Sequence, residues 1–157
     1  MYVGGLFLPE MSFTACFIAG AKVVIKFNIN RNLIVNGILD VQGTVSDSVV
    51  FTSIYDDNYG GDTNGDAWAT TPAPGQWGGI RFYNSNNTLD YCLLRYGGSD
   101  GLIYIENCFP TITHCTIEYS GSIGIYVNGF PNHIRVCKII CVNDFFIRGK
   151  TPIFAQR

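Results

Sequence analysis

Acidic side chains are concentrated in one Gly-rich stretch between residues 55 and 77. Its candidate oxygen ligands are Asp56, Asp57, Asp62, Asn64 and Asp66. Oxygen donors at alternate positions of a loop suit a hard cation such as Ca²⁺. Asp62, Asn64 and Asp66 match the first, third and fifth ligand positions of an EF-hand-like loop. Ala67, however, replaces the turn glycine, and Ala73 replaces the bidentate Glu. The alternative is an acidic surface loop whose Asp and Asn side chains cap its own turns.

A second candidate for binding is a set of aromatic and basic side chains. The predicted ligand-binding residues are Arg81, Tyr83, Tyr104, Tyr126 and Trp68. Rigid rings beside polar loops can bind sugar rings or protein side chains, so we expect polysaccharides or cell-surface glycans as partners. The alternative is structural, because tyrosines on the outside of a sheet also stack across strands. Trp77 is expected to pack the 55–77 loop onto the coils.

Residues that could cleave a polysaccharide are sparse. Such chemistry needs carboxylates, with or without an Arg or Lys base, on neighbouring strands of one face. Arg95 and Glu118 are expected to form a surface ion pair that contributes at most about 1 kcal/mol. The other outward candidates are Asp90, Thr113, Arg135 and His114, and no carboxylate is placed beside the histidine. We therefore predict no catalytic residue, and a polysaccharide lyase or glycoside hydrolase stays as the alternative function.

The elements that position these residues recur along the chain. Residues 88–96, 111–119 and 133–141 have related sequences, with Cys92, Cys115 and Cys137 at matching positions. A period of about 20–25 residues with β-rich units is typical of a solenoid whose repeats bury their faces by stacking. Because side chains alternate along a strand, the repeats predict two inward columns. These are Leu89, Ile112, Ile134 and Leu94, Ile117, Ile139.

Each repeat has a further strand, predicted over residues 79–83, 102–106 and 124–128. Alternation predicts inward columns of Ile80, Ile103, Ile125 and Phe82, Ile105, Val127, and an outward column of Arg81, Tyr104, Tyr126. The change of parity between Leu89 and Cys92 predicts a bend at Asp90 and Tyr91. The predicted fold is all-β, a single-stranded right-handed parallel β-helix of about five to six coils, with the hand taken from the preference of parallel crossovers.

Earlier coils are predicted from short strands near residues 6–8, 13–18, 22–27, 32–35, 37–41 and 49–53. We expect one β-helix domain over residues 1–157, with the loop insertion 55–77 between the second and third coils. The segments 145–147 and 152–154 are apolar and have no cap after them. An uncapped coil exposes unpaired backbone groups, so we expect self-association through this end.

Several segments resemble a known family. The motifs are Lys26-Phe27, Asn32-Leu-Ile-Val-Asn-Gly37, Asp40-Val-Gln-Gly-Thr44, Val50-Phe-Thr-Ser53, Gly61-Asp-Thr-Asn-Gly-Asp66 and Trp77-Gly-Gly-Ile80. They look like the opening coils of bacterial secreted right-handed parallel β-helix repeat proteins, which share a fold with pectate-lyase-like enzymes. The resemblance implies a secreted or cell-surface parent protein longer than this chain. The expected role is a non-catalytic structural or adhesive segment that contacts glycans.

Composition argues against other classes. Of 157 residues, 14% are charged and the net charge is −2, with no basic stripe for nucleic acid. No apolar run reaches the roughly 20 residues of a membrane helix. Residues 1–20 make a poor signal peptide, because no Lys or Arg precedes the apolar part and Pro9-Glu10 interrupts it.

The cysteines are predicted to stay reduced. If Cys92, Cys115 and Cys137 stack in one column, their Cβ atoms lie about 4.8 Å apart, which is wider than the ~3.8 Å of a disulfide. The six cysteines contain no C-x-x-C pair, and the two histidines lack the spacing of a zinc site. A column of free, buried thiols is the expected arrangement.

Overall fold

The computed structural model describes residues 11–13, 16–84, 86–129, 136–137, 140–142 and 147–148. These residues form strands and no helix. The strands are β1 (Met11–Phe13), β2 (Cys16–Gly20), β3 (Val24–Phe27), β4 (Asn32–Val35), β5 (Ile38–Gln42), β6 (Val49–Ser53), β7 (Gly79–Phe82), β8 (Thr88–Asp90), β9 (Cys92–Arg95), β10 (Ile103–Glu106), β11 (Thr111–Thr113), β12 (Thr116–Glu118), β13 (Ile125–Asn128), β14 (Val136–Cys137), β15 (Ile140–Val142) and β16 (Ile147–Arg148).

The strands build three parallel sheets that run the length of a solenoid. The first sheet has the order β1-β4-β7-β10-β13-β16, the second β14-β11-β8-β5-β2 and the third β15-β12-β9-β6-β3. Each coil adds one strand to each sheet, and every described pairing is parallel. Five coils and the first strand of a sixth are present among the described residues. The predicted all-β parallel β-helix is confirmed.

The core is made of the inward columns that alternation predicts. In the first sheet, Ile80 pairs with Ile103 and Ile103 with Ile125, and all three are at most 1% exposed. The neighbouring column, Phe82, Ile105 and Val127, is also buried. In the third sheet, Leu94 pairs with Ile117. Stacked aliphatic columns of this kind supply most of the stability of a solenoid, because each coil can bury its apolar face only against its neighbours.

The coils turn corners at single left-handed residues. Tyr91 (φ 49°) and His114 (φ 51°) occupy the bend between the second and third sheets, and Tyr96 (φ 62°) and Tyr119 (φ 52°) follow the third. The rings stack from coil to coil, at 4.4 Å for Tyr91 on His114 and 5.0 Å for Tyr96 on Tyr119. A positive φ costs about 1–2 kcal/mol for a residue with a side chain, and stacking offsets part of that cost. The predicted bend at Tyr91 is confirmed.

One glycine is required where the first sheet begins its third coil. Gly79 has φ 115°, and a Cβ there would lie 2.6 Å from the Gly101 carbonyl oxygen. Both the backbone conformation and the close approach exclude a side chain. The Trp77-Gly-Gly-Ile80 motif therefore brings the chain back into the sheet after the insertion.

The alignment of the last repeat was wrong by two residues. Ile112 pairs with Val136 instead of Ile134, and Ile117 pairs with Cys141 instead of Ile139. Cys137 consequently lies opposite Thr113 and not above Cys115. A shift of two keeps every residue on the same face of the strand, so alternation alone cannot distinguish the two registers. The chain has two more residues between Asn128 and Val136 than between their partners Glu106 and Ile112.

The first coil also differs from its prediction. The strand expected over 13–18 is divided between β1 and β2, whereas β4 and β6 begin and end where expected. The segments predicted at 6–8 and 152–154, and most of 145–147, lie outside the described residues, as does the expected association through the C-terminal end. In the described part of the chain, no helix has the length and apolar character needed to cross a membrane.

Candidate functional site

The long insertion connects β6 to β7 and packs against the solenoid through Trp77. This side chain is fully buried, and its ring stacks on Phe27 with centroids 4.3 Å apart. Its Nε1 donates a hydrogen bond of 2.8 Å to the Arg95 carbonyl oxygen. The expectation that Trp77 packs the loop onto the coils is confirmed.

Beneath the insertion lies a buried charge network centred on Arg95. Its Nε is 3.0 Å from Glu118 Oε1 and 3.5 Å from Asp56 Oδ2. The side chains of Arg95, Glu118 and Asp56 are 10%, 18% and 0% exposed. Arg95 and Glu118 do form the expected ion pair. The pair does not lie at the surface as expected, because the insertion covers the guanidinium and adds a second carboxylate, Asp56.

Aromatic rings complete the surroundings of Arg95. Its guanidinium carbon lies 4.6 Å from the Tyr96 ring centroid, 5.1 Å from that of Tyr59 and 5.4 Å from that of Tyr119. Burial lowers the pKa of Arg95, but Asp56 and Glu118 raise it further, and the net pKa is above its ordinary value. The group is a permanent buried cation that joins the insertion to the third sheet.

Asp56 belongs to this network and not to the predicted cation site. Its Oδ2 accepts a 2.6 Å hydrogen bond from the Thr52 hydroxyl, and its side chain is fully buried against Arg95. Asp56 was predicted as a metal ligand, but its side chain contacts Arg95 and Thr52 and is not among the three clustered carboxylates. Asp56 therefore faces Arg95 of the third sheet, while Asp57 lies with Asp62 and Asp66 of the loop.

Three carboxylates of the insertion converge on one point. Asp57, Asp62 and Asp66 each contribute an oxygen, and these oxygens all lie within 4.8 Å of one another. Carboxylate groups arranged in this way could hold a metal ion, since hard cations take several oxygen ligands from one loop. The cluster combines a buried residue, an exposed one and a half-buried one.

Two of the three carboxylates also shape the loop. Asp62 accepts hydrogen bonds from the backbone N–H groups of Gly65 (2.7 Å) and Ala67 (2.9 Å). Asp66 accepts from the N–H groups of Ala69 and Thr70, each at 3.0 Å. Burial raises the pKa of Asp66, but the Thr70 hydroxyl is the largest influence and lowers it, and the net pKa is below its ordinary value. The capping alternative is thus correct for these two residues, although each carboxylate oxygen can accept more than one bond.

Asp57 has no such partners. Its side chain is 4% exposed, and both carboxylate oxygens lack a hydrogen-bond donor among the described residues. The nearest positive charge is Lys26 Nζ at 4.0 Å from Oδ1, and this ammonium instead donates to the Gly61 carbonyl oxygen. Burial raises the pKa of Asp57, Lys26 lowers it, and Asp62 and Asp66 add to the rise. A buried carboxylate without donors is costly, and a bound cation would remove that cost.

Asn64 offers one further oxygen beside the cluster. Its Nδ2 donates to Asp66 Oδ2 (2.8 Å) and to the Thr70 hydroxyl (3.0 Å). Its Oδ1 is buried and has no hydrogen-bond partner within the described part of the chain. Buried polar atoms are nearly always paired. Of the described exceptions, Arg95 Nε lies against two carboxylates, whereas the oxygens of Asp57 and Asn64 belong to the insertion and could hold a cation.

Four of the five predicted ligand-binding residues line one groove on the outside of the first sheet. The groove has a volume of about 470 Å³ and is lined by Arg81, Tyr83, Ser99, Asp100, Tyr104, Ser122, Ile123 and Tyr126. One wall comes from strands of the first sheet and the other from the turns at 99–100 and 122–123. Asp100 and the two serines were not predicted, because turn residues carry no periodic signal that places them in space.

The outward column forms a continuous stack along this groove. The Arg81 guanidinium carbon lies 5.2 Å from the Tyr104 ring centroid, and the Tyr104 and Tyr126 centroids are 5.2 Å apart at an interplanar angle of 18°. Cross-strand stacking of the tyrosines, the structural alternative, is therefore confirmed. Since Tyr104 is covered on both faces, it presents its edge and hydroxyl to the groove. Tyr83, at 43% exposure, is the most exposed of the three tyrosines that line the groove.

Trp68 lies elsewhere, at the tip of the insertion. It is 63% exposed and does not line the groove. Its backbone φ is 68°, and that of the preceding Ala67 is 55°. Two successive left-handed residues with side chains are unusual, and the Asp62 carboxylate holds them through the Ala67 N–H. The backbone next to Trp68 is therefore held by Asp62 of the acidic cluster, and the Trp68 side chain does not line the groove.

The histidine has a carboxylate partner that the sequence reasoning missed. His114 Nδ1 lies 2.8 Å from Asp90 Oδ1, which also accepts a 2.7 Å hydrogen bond from the Thr113 hydroxyl. Burial raises the pKa of Asp90, but these bonds lower it more, so its net pKa is below its ordinary value. The expectation of a histidine without a carboxylate is wrong, because the bend places Asp90 and His114 of adjacent coils side by side. Thr113 pairs with Cys137, at the place in the column where Arg135 was expected.

The cysteine column is present for two of its three members. Cys92 and Cys115 are both free and buried, and the Leu93–Thr116 pairing stacks the residues that follow them. The Cys115 thiol and then burial raise the pKa of Cys92 far above its ordinary value. The Cys92 thiol is therefore a protonated core group with little nucleophilic character.

Comparison with known proteins adds no family. No protein-family model matches the chain, and no curated protein or solved structure is significantly similar to it. The likeness to a parallel β-helix rests on the three stacked parallel sheets themselves.

Proposed function

We propose that this chain is a non-catalytic adhesive module of a bacterial secreted or cell-surface protein, and that it binds glycans in the groove of the first sheet. The observation that carries the proposal is the groove itself, where an exposed tyrosine, a guanidinium, a carboxylate and two serine hydroxyls converge. Ligand sites commonly combine aromatic surface with a few polar groups that fix orientation. Sugar rings, with apolar faces and hydroxyl edges, fit that combination.

The groove is better suited to binding than to cleavage. Its lining holds one carboxylate, Asp100, and this group is paired with Arg81 at 3.2 Å. Glycoside hydrolysis needs two carboxylates on opposite sides of the bond, about 5–9.5 Å apart. Across the residues that the structure describes, the groove lining supplies no second acid, and this supports adhesion over hydrolysis.

The test combines a glycan array with an assay for new reducing ends. We expect binding of defined oligosaccharides without release of reducing sugar, and loss of binding in Tyr83→Ala. Ile38→Ala, an exposed change on the second sheet, is the matched control and should bind normally. New reducing ends from the purified chain would replace the proposal with the lyase or hydrolase alternative.

We further propose that the insertion binds Ca²⁺ through Asp57, Asp62 and Asp66, with Asn64 as a fourth protein ligand. The specific support is the buried Asp57 carboxylate, whose oxygens accept no hydrogen bond from the described residues. Three carboxylates beside one ammonium, Lys26, leave excess negative charge that a divalent cation balances. The described donors around the cluster are oxygens, which hard cations prefer and which zinc and copper sites do not.

Ca²⁺ fits this loop better than Mg²⁺ does. Mg²⁺ demands near-ideal octahedral geometry and gives up its water reluctantly, whereas Ca²⁺ accepts irregular sets of about 6–8 oxygens. Four protein oxygens, with carbonyl groups or water completing the shell, are enough for a weak extracellular site. Such sites have dissociation constants of about 10⁻⁴–10⁻³ M, which suits a secreted or cell-surface protein.

Calorimetric titration with CaCl₂ and thermal unfolding test the cation site. At a Ca²⁺ concentration about 100 times the dissociation constant, we expect a stabilisation of about 2.7 kcal/mol. Asp57→Asn should abolish the response, because it removes the buried carboxylate of the cluster. Asp47→Asn, on the second-coil surface, is the control and should keep the response. Absence of both heat and stabilisation in the unaltered chain would exclude the site.

A further inference from the structure

The chemistry of the groove depends on Arg81, the only cationic side chain among the described lining residues, and on the groups that it contacts. Arg81 Nε donates a 2.9 Å hydrogen bond to Asn32 Oδ1 of the preceding coil, and Nη2 donates to Asp100 Oδ2 at 3.2 Å. One face of the guanidinium lies over the Tyr104 ring. The Arg81 side chain is only 18% exposed, so its charge reaches the groove mainly through the edge that Asp100 occupies.

Asp100 stands on the opposite wall and is 72% exposed. Its carboxylate therefore presents an acceptor to any ligand while it neutralises Arg81. The lining residues contain no other charged group, so the charges of the groove sum to zero. An anionic ligand that approached Arg81 would have to displace Asp100 and would then lie beside it, and like charges placed together across an interface are costly.

We propose that the groove selects uncharged, hydroxyl-rich chains, namely neutral hexose glycans, and rejects polyuronates. This inference rests on the proposed function of the same groove and names its ligand class. Tyr83, which is 43% exposed, supplies aromatic surface for the apolar side of a sugar. Asp100 accepts hydrogen bonds from ligand hydroxyls, and the Ser99 and Ser122 hydroxyls donate or accept on the same wall. Asp100 is the specificity-determining residue.

Titration calorimetry at low ionic strength with cellohexaose, mannohexaose and hexagalacturonate tests the inference. We expect at least one neutral hexaose to bind at least about tenfold more tightly than hexagalacturonate, a difference that corresponds to about 1.4 kcal/mol. Asp100→Asn frees the Arg81 charge and removes the repulsion. It should shift the ratio of the two affinities by about tenfold or more toward hexagalacturonate, and added salt should weaken that new binding.

The controls separate failure of the ligand class from failure of the site. Asp47→Asn removes one negative charge elsewhere and should leave the ratio unchanged. If the unaltered chain prefers hexagalacturonate, or if Asp100→Asn leaves the ratio unchanged, the inference is wrong while glycan binding stands. If neither neutral nor anionic hexaoses bind, glycan binding in this groove is itself refuted and the inference falls with it.

Discussion

Replacing Arg95 with Met should destabilise the protein far more than loss of a surface ion pair would. Arg95 contacts two carboxylates at 3.0 and 3.5 Å, and one of them, Asp56, is completely buried. Contacts of this length correspond to about 5 kcal/mol of attraction each at an effective dielectric constant of about 20. Desolvation of the charged groups takes back much of that gain. In Arg95→Met, the free energy of unfolding falls because the buried Asp56 carboxylate has lost its positive partner.

Removing one partner of a buried ion pair typically costs about 3–5 kcal/mol. The Glu118 side chain is 18% exposed and can be solvated, and Asp56 keeps its bond from Thr52. We therefore expect about 3 kcal/mol, near the lower end of that range. The double variant Arg95→Met/Asp56→Asn should recover part of the loss, because no charge is then left buried.

Urea unfolding followed by circular dichroism gives the comparison. Arg81→Met is the matched control, since its partner Asp100 is 72% exposed and an exposed pair contributes at most about 1 kcal/mol. If the free energy of unfolding falls equally in Arg95→Met and Arg81→Met, the insertion does not cover Arg95 in solution. The network described here would then be wrong.

Three further outcomes are expected. Ile117→Ala should cost roughly 2–5 kcal/mol in urea unfolding and Thr116→Ala under about 0.5 kcal/mol; equal losses would contradict the inward and outward assignment of β12. Thiol titration should find Cys92 and Cys115 free after denaturation and protected from alkylation in the folded protein, and a disulfide between them in peptide mass spectra would refute the column. The lowered pKa of Asp90 contributes stability above its unfolded-state pKa near 3.8, and this stability is lost as pH falls through the lower folded-state pKa. Asp90→Asn should therefore flatten the acid limb of a stability–pH profile, and an unchanged limb would refute the assignment.

The repeat pattern by itself was enough to predict a parallel β-helix. Alternation along strands determines which residues face inward, so Ile80, Ile103 and Ile125 could be placed in one buried column before their pairing was known. A change of parity located the bend at Tyr91 for the same reason. Register is less well determined, because a shift of two residues preserves alternation. That is why Ile117 lies against Cys141 and not Ile139.

The sites depend on contacts that no local pattern encodes. Consecutive aspartates look equivalent in a sequence, yet packing of the insertion turns Asp56 toward Arg95 and leaves Asp57 without a hydrogen-bond donor among the described residues. Asp100 lines the groove from the turn at 99–100, and the repeat pattern does not predict where that turn lies. Side-chain types and spacing therefore predicted candidate residues, of which Asp57, Asp62 and Asp66 lie close together. Only the tertiary structure decided which are neutralised, because charge pairing across distant segments depends on how the long loop lies on the solenoid.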